Sequence, residues 1–305
     1  MRTLTLRIAL STFVVTVFAV AASPASGQAV TCDFPAATIT GTTGDDIING
    51  TPGNDVIYGL DGNDTIAGGD GHDLICGGMG NDTIAGGSGN DAIDGSAGND
   101  LVDGGGGSED AAVYTAASGS VTIDLTTGTA SGAGIDTDAL IGIEDATGSA
   151  HADAIFGNAL SNYLDGRGGH DDVRGLSGLD YLDGDEGNDR LDGGPGPDLA
   201  VYFFAPQGVR ASLARRQATG WGTDQLLGFE AIQGSRYADV LTGNGASNFL
   251  FGSRGNDRLN GLGGPDRLFG EAGRDRLDGG RGRDFGNGGT GIDVCISIEQ
   301  RRRCP

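Results

Sequence analysis

Aspartate residues recur at strict nine-residue intervals in three stretches of the sequence. The first run is Asp46, Asp55, Asp64, Asp73, Asp82, Asp91 and Asp100, the second is Asp171, Asp180, Asp189 and Asp198, and the third is Asp257, Asp266, Asp275, Asp284 and Asp293. If the chain stacks these residues, each pair of carboxylates about 4 Å apart repels by roughly 4 kcal/mol at an effective dielectric constant near 20. Because this conflict would repeat at every step, we expect a cation between the aspartates.

Ca²⁺ is the cation that suits this pattern best. It accepts about six to eight oxygen ligands and tolerates backbone carbonyls, which turns built from small residues expose. Mg²⁺ requires a stricter octahedron, and Zn²⁺ prefers cysteine and histidine. Histidine is rare here, with only three in the chain. The sequence therefore predicts Ca²⁺ as the cofactor.

The aspartates belong to a nine-residue repeat, which we call a rung. In "GGDGHDLIC" (residues 68–76), glycine occupies positions one and four, aspartate position six and an aliphatic residue position eight. Position eight of the first run is always β-branched: Ile48, Ile57, Ile66, Ile75, Ile84, Ile93 and Val102. We predict that the last three residues of each rung form a short strand whose middle side chain faces a core, while the glycines permit a sharp turn.

Two rungs make one coil of the predicted fold, with one strand on each side. Stacked coils form two parallel sheets, and each position six then lies beside the position six found two rungs later. One edge of the stack should carry Asp46, Asp64, Asp82 and Asp100, and the other should carry Asp55, Asp73 and Asp91. The prediction is an all-β protein with a narrow core of position-eight side chains.

The rungs resemble the RTX, or hemolysin-type calcium-binding, nonapeptide repeat, GGxGxDxUx. The resemblance extends over most of residues 41–296 and implies a right-handed parallel β-roll, or β-solenoid, that binds Ca²⁺. It implies that turn carbonyls and the position-six aspartates of all three runs hold the ions. Four positions depart from the pattern, and we expect no Ca²⁺ there: Asn162 and Asn248 replace aspartate, and Asp153 and Asp239 lack the preceding glycine.

The repeats fall into three blocks separated by two connectors. We predict a secretory signal peptide at 1–29, an N-terminal cap at 30–40, block one at 41–109, a connector at 110–147, block two at 148–199, a second connector at 200–233, block three at 234–296 and a C-terminal tail at 297–305. "IGIEDATGSAHADAIFGNALSN" corresponds to "LGFEAIQGSRYADVLTGNGASN" 86 residues later, so connector and block are duplicated together. Because the connectors retain apolar residues, we expect modified coils with longer loops.

Charge and cysteine content restrict the partners and the compartment. The formal net charge is −23, which disfavours nucleic acid and favours cations. A leader and four cysteines predict a secreted, extracellular protein in an oxidising environment. We predict disulfides Cys32–Cys76 and Cys295–Cys304, with a lone buried thiol at Cys76 or Cys295 as the alternative. No transmembrane segment is expected after signal cleavage.

The sequence favours a non-catalytic role. HExxH and GxSxG motifs are absent, and the three histidines fall in turn positions. We therefore expect a stand-alone calcium-binding roll with a structural, adhesive or interaction role, with an extracellular polymer or cell surface as a candidate partner. Two alternatives remain: a roll that binds glycan, and a hydrolase with an unrecognised site. The aromatic residues Tyr202, Phe203, Phe204 and Trp221 of the second connector are predicted to form a local core.

Overall fold

The computed structural model describes Cys32 and residues 35–304, and the predicted signal peptide at 1–29 lies outside this range. All the regular elements in the described residues are β-strands. None of the described residues forms a helix long and apolar enough to cross a membrane. The prediction of an all-β parallel β-roll is confirmed.

Block one contributes strands alternately to two sheets, which we call sheet I and sheet II. Strand β1 (Ile39–Thr40) precedes it in the N-terminal cap, and its own strands are β2 (Ile47–Asn49), β3 (Val56–Asp61), β4 (Thr65–Asp70), β5 (Leu74–Met79), β6 (Thr83–Ser88), β7 (Ala92–Ala97) and β8 (Leu101–Gly106). The odd-numbered strands pair in sheet I and the even-numbered strands in sheet II, all parallel. Ile57 pairs with Ile75, and Ile66 with Ile84, so one coil is two rungs, as predicted.

The first connector continues both sheets but in different ways. Its strands are β9 (Ala111–Val113), β10 (Val121–Asp124), β11 (Thr129–Gly132), β12 (Asp136–Ile141) and β13 (Asp145–Thr147). In sheet I, β9 and β13 extend the parallel stack. In sheet II, β12 pairs parallel with β8, and β10, β11 and β12 form an antiparallel meander. The expected coil with a longer loop is therefore a coil with an inserted meander.

Block two and the second connector repeat this arrangement. Block two contains β14 (Ala154–Phe156), β15 (Tyr163–Asp165), β16 (Gly168–Gly169), β17 (Asp172–Arg174), β18 (Tyr181–Asp183), β19 (Glu186–Gly187), β20 (Arg190–Asp192) and β21 (Leu199–Val201). The connector adds β22 (Arg210–Ser212), β23 (Gln217–Thr219), β24 (Thr223–Leu227) and β25 (Ala231–Gln233). Strands β22, β23 and β24 form the second antiparallel meander.

Block three returns to the simple alternation. Its strands are β26 (Val240–Thr242), β27 (Phe249–Phe251), β28 (Arg258–Asn260), β29 (Arg267–Phe269), β30 (Arg276–Asp278), β31 (Phe285–Asn287) and β32 (Val294–Ile296), and β33 (Gln300–Arg302) follows in the C-terminal tail. Sheet I has 14 strands and runs through all three blocks, whereas sheet II has 17 strands because of the meanders. The connectors are thus integral parts of one continuous stack.

The core lies between the two sheets, each of which contributes a column of position-eight aliphatic side chains. The position-eight residues Ile57, Ile75, Leu164, Leu182 and Leu268 are fully buried. Burial of such side chains contributes about 1.5–3 kcal/mol each. Both predicted disulfides, Cys32–Cys76 and Cys295–Cys304, are present, so the alternative of a lone buried thiol is wrong.

Glycine at position four is required where the turn adopts a positive φ. Gly80 has a φ of 131°, and a β-carbon added there would lie 1.9 Å from the carbonyl oxygen of Gly62 in the preceding coil. Gly44 occupies the same position of the first rung, is not in the positive-φ region and has nothing within 4 Å of an added β-carbon. Glycine is therefore required at position 80 by the backbone conformation and by the close approach of Gly62, and neither constraint applies at Gly44.

We expect Gly80→Ala to destabilise the roll and Gly44→Ala to be tolerated. Backbone strain at Gly80 costs about 1–3 kcal/mol, and the overlap with Gly62 adds to it. Thermal unfolding of the Ca²⁺-loaded protein measures the difference. Equal midpoints for the two variants would contradict this account of the turns.

Candidate metal centre

The position-six aspartates form hydrogen-bonded ladders along both edges of the stack. We call the turns leading from sheet I to sheet II the first edge, and those leading back the second edge. On the first edge, the backbone N–H of Asp64 donates to Oδ1 of Asp82 at 2.8 Å, and that of Asp82 donates to Oδ1 of Asp100 at 2.8 Å. On the second edge, the N–H of Asp55 donates to Oδ1 of Asp73 at 2.8 Å. The predicted alignment of aspartates two rungs apart is therefore present.

The other carboxylate oxygen of most ladder aspartates is buried and has no hydrogen-bond partner among the described residues. These Oδ2 atoms belong to Asp64, Asp73, Asp82, Asp91, Asp100, Asp110, Asp171, Asp180, Asp189, Asp198, Asp257, Asp266, Asp275 and Asp284. A buried polar atom without a partner costs about 1–3 kcal/mol, and more when it is charged. One such atom in each of fourteen rungs indicates that another group satisfies it.

The surroundings of these oxygens fit a calcium ion. A β-carbon added to Gly77, at position one of its rung, would lie 2.4 Å from Oδ2 of Asp82 and 2.8 Å from the carbonyl oxygen of Gly95 in the next coil. Glycine thus leaves a side-chain-free space on which two oxygens converge. Within the described residues, no three His, Cys, Asp or Glu side chains group together to hold a metal. The remaining ligands must then be backbone carbonyls, which suits Ca²⁺.

A family model for the RTX calcium-binding nonapeptide repeat matches most of the stack. The matches cover residues 40–75, 77–108, 147–182, 165–200, 226–259 and 260–295, which together exceed half of the chain. The chain belongs to this family. Its nonapeptide repeats bind Ca²⁺, as the sequence predicted. No curated protein matches the chain.

The RTX aspartates named from the sequence divide into two groups. Those of the second and third runs, except Asp293, and those of the first run from Asp64 onward carry the unpartnered Oδ2. Asp293 is buried near the end of the stack, where its Oδ1 accepts from the N–H of Asp275 at 3.0 Å. Asp46 and Asp55 differ, because their Oδ2 atoms already accept hydrogen bonds from Thr42 and Thr51.

The four positions where no Ca²⁺ was expected also have internal partners for their side chains. Oδ2 of Asp153 and of Asp239 accepts from the backbone N–H of Ser149 and Ser235. Oδ1 of Asn162 and of Asn248 accepts from the N–H of Asn158 and Asn244. These side chains nonetheless belong to the ladders, because the N–H of Asp153 donates to Asp171 and that of Asn248 donates to Asp266.

Several ladder residues were missed by the sequence analysis. Asp110 takes the place of a position-six aspartate, 19 residues after Asp91, because one extra residue precedes it and shifts the nine-residue phase. On the second edge, the carboxylates of Glu144, Glu230 and Glu299 each accept from the last aspartate of a ladder.

Two further missed residues, Asp138 and Asp224, take over the first-edge ladders within the connectors. Each Oδ1 accepts the N–H of the preceding aspartate, Asp100 or Asp189. The duplication of the connectors is the sequence pattern that indicates these residues. Asp138 and Asp224 are 86 residues apart in matching connectors, and so are Glu144 and Glu230.

Burial shifts the titration of the ladder carboxyls. Desolvation raises the pKa of Asp82 to about 6 and those of Asp100, Asp171 and Asp257 to about 8, although the backbone N–H that each accepts lowers it in part. Without a cation, the ionised form of these groups is therefore unfavourable in the folded protein. Protonation offers a second way to relieve the same conflict.

We expect acidification to favour folding of the calcium-free protein. The folded pKa values of about 6 to 8 lie above the ordinary value of about 4, so the folded state binds more protons across this window. The resulting stability is greatest below about pH 4 and is lost as the pH rises through about 8. Far-UV circular dichroism of calcium-free protein between pH 8 and pH 5 measures this, and a β-signal that weakens on acidification would contradict it.

Proposed function

We propose that this RTX chain is a secreted protein whose β-roll folds on binding extracellular Ca²⁺ and then serves a structural or adhesive role. The buried, unpartnered Oδ2 atoms of the ladder aspartates carry the proposal. Each of them needs a positive partner, and Ca²⁺ supplies it when bound. The residues that would hold the ions are the position-six aspartates together with turn carbonyls.

The thin core makes folding depend on the cation. Position eight supplies one aliphatic side chain per nine residues, whereas ordering each backbone residue costs about 1–2 kcal/mol. The net charge of −23 adds repulsion to the compact state. When a metal site exists only in the folded chain, its binding free energy becomes folding free energy. The chain is therefore expected to remain unfolded where Ca²⁺ is scarce.

The disulfides support an extracellular location. Cys32–Cys76 ties the N-terminal segment to β5, and Cys295–Cys304 closes the C-terminal end beyond β33. Disulfides persist in oxidising compartments. Cys295 lies in β32, the last strand of sheet II, so its bond stabilises a coil that has a neighbour on only one side. Cys76 lies in β5, between β3 and β7, so its bond fastens the N-terminal segment against a coil inside the stack.

A direct test compares the chain with and without Ca²⁺. In a chelator, we expect little β-structure by far-UV circular dichroism and a large hydrodynamic radius. Millimolar Ca²⁺ should restore the β-signal and compact the chain, whereas Mg²⁺ at the same concentration should not. A spectrum that does not respond to Ca²⁺ would remove the basis of the proposal.

A second candidate function, glycan binding, is favoured by exposed aromatic residues in the second connector. The predicted local core is right for Tyr202, which is buried, and wrong for Phe204, which is 53 % exposed. The Arg236 guanidinium lies 4.7 Å from the ring centroid of Phe203 and 5.7 Å from that of Phe204. Neighbouring Tyr237 is 50 % exposed. An aromatic face beside a guanidinium suits a sugar that carries carboxylates.

The fold itself does not require these aromatic residues. "DAAVYTAA" in the first connector corresponds to "DLAVYFFA" in the second, so Thr115 and Ala116 occupy the places of Phe203 and Phe204. Both connectors bury their tyrosine in the same way, with each hydroxyl donating to an aspartate. A groove of about 490 Å³ on the same edge is lined by residues that include His170, Glu186 and Trp221. These polar groups could hydrogen-bond sugar hydroxyls.

Binding to a polyuronate in the presence of Ca²⁺ tests the glycan candidate. We expect Phe204→Ala or Arg236→Ala to weaken binding about tenfold, the usual scale for an aromatic or arginine hot spot. Thr115→Ala, at the position of the first connector that corresponds to Phe203, is the control and should have no effect. Equal binding by all three variants would reject this surface as the glycan site.

A further inference from the structure

In six rungs, the backbone N–H of position two donates to the position-six side chain. They are the first two rungs of every block, and their position two holds Thr42, Thr51, Ser149, Asn158, Ser235 or Asn244. We infer that position two decides whether an RTX rung of this chain takes Ca²⁺, and that each block opens with two calcium-free rungs. This inference rests on the proposed calcium-dependent fold and specifies which of its rungs are loaded.

In these six rungs, position two itself satisfies the position-six side chain. Oδ2 of Asp55 accepts from the backbone N–H of Thr51 at 2.7 Å and from its hydroxyl at 2.8 Å. Oδ2 of Asp153 accepts from the N–H of Ser149 at 2.6 Å and from its hydroxyl at 3.0 Å. The donors therefore occupy the side of the carboxylate that is left unpartnered in the other rungs. A cation there would have to displace two hydrogen bonds and lie against an N–H dipole of the wrong sign.

The backbone gives an independent division into the same two classes. Position two has a positive φ, between 54° and 119°, in the other rungs: Leu60, Gly69, Gly78, Gly87, Ser96, Gly105, Arg167, Leu176, Asp185, Gly194, Ser253, Leu262, Glu271, Gly280 and Gly289. The six polar residues above are not among the positive-φ residues. Every ladder aspartate with a buried, unpartnered Oδ2 follows a positive-φ position two. Turn conformation and carboxylate partner therefore change together.

In the connectors, the aspartates that end the first-edge ladders also have a hydrogen-bond donor in place of a cation. Oδ2 of Asp138 accepts from the Tyr114 hydroxyl at 3.0 Å, and Oδ2 of Asp224 accepts from the Tyr202 hydroxyl at 2.9 Å. Both tyrosines are buried. A calcium-bearing array thus ends at a tyrosine, and two self-satisfied rungs follow before the next array begins. The stack carries three arrays, at residues 59–110, 166–198 and 252–293, separated by two calcium-free junctions.

Asp55 and Asp73 provide a matched pair to test the inference. They are consecutive on the second edge, and Asp55 donates its N–H to Oδ1 of Asp73. Asparagine removes the charge and keeps one oxygen, which can accept the ladder hydrogen bond at position 73 and the N–H of Thr51 at position 55. We expect Asp55→Asn to keep the wild-type number of bound Ca²⁺ ions per folded chain and Asp73→Asn to lose at least one. The count is measured at saturating Ca²⁺ by native mass spectrometry, with circular dichroism to verify folding.

A second experiment tests whether a substitution at position two adds a bound Ca²⁺ ion. Thr51→Gly removes the hydroxyl donor and permits the positive φ of the other rungs, so it should add one ion. Thr43→Gly, at an exposed position of the preceding rung, is the control and should add none. A lower count in Asp55→Asn, or an unchanged count in Thr51→Gly, would overturn the inference. A wild-type chain that binds no Ca²⁺ would instead refute the proposed function.

Discussion

The unpartnered Oδ2 of the position-six aspartate is the constraint on which the rest of the structure depends. Its partner oxygen is fixed by the ladder hydrogen bond, as between Asp64 and Asp82. The remaining oxygen is therefore held in place and buried. Its carboxylate is charged at neutral pH only if a cation compensates the charge. Glycine at position one keeps the adjacent space open, as at Gly77. In the proposed function, the core can remain thin because the ions contribute much of the folding free energy.

The nine-residue period was sufficient to predict the sheets, the two-rung coil and the alignment of the aspartates. It succeeded because one hydrogen-bonded ladder and one buried column repeat with the same spacing, so a single pattern specifies register and core together. The nine-residue period did not predict ladder residues in segments that depart from the repeat. Asp110 was missed because one added residue breaks the phase, and Asp138 was missed because it lies in a meander that has no nonapeptide pattern.

Other features depend on contacts that the aspartate column does not reveal. Asp46 and Asp55 match the column, yet the threonines four residues earlier already satisfy their carboxylates. The relevant difference was at position two, where threonine, serine or asparagine stands at the start of each block in a turn without positive φ. Exposure of Phe204 was also unpredictable, because its neighbour Tyr202 in the same aromatic run is buried by its hydrogen bond to Asp224.

The 86-residue duplication includes the hydrogen bonds at which the first-edge ladders end in the connectors. The first connector with block two starts from a tyrosine-capped aspartate, Asp138, and the same kind of cap follows it at Asp224. This unit therefore has the same kind of hydrogen bond at both joins. Tandem duplication or loss of one unit would lengthen or shorten the stack by one whole unit. The carboxylate at each join would still have a hydrogen-bond donor. Proteins of this design can therefore vary in reach through recombination, while the chemistry of every join stays the same.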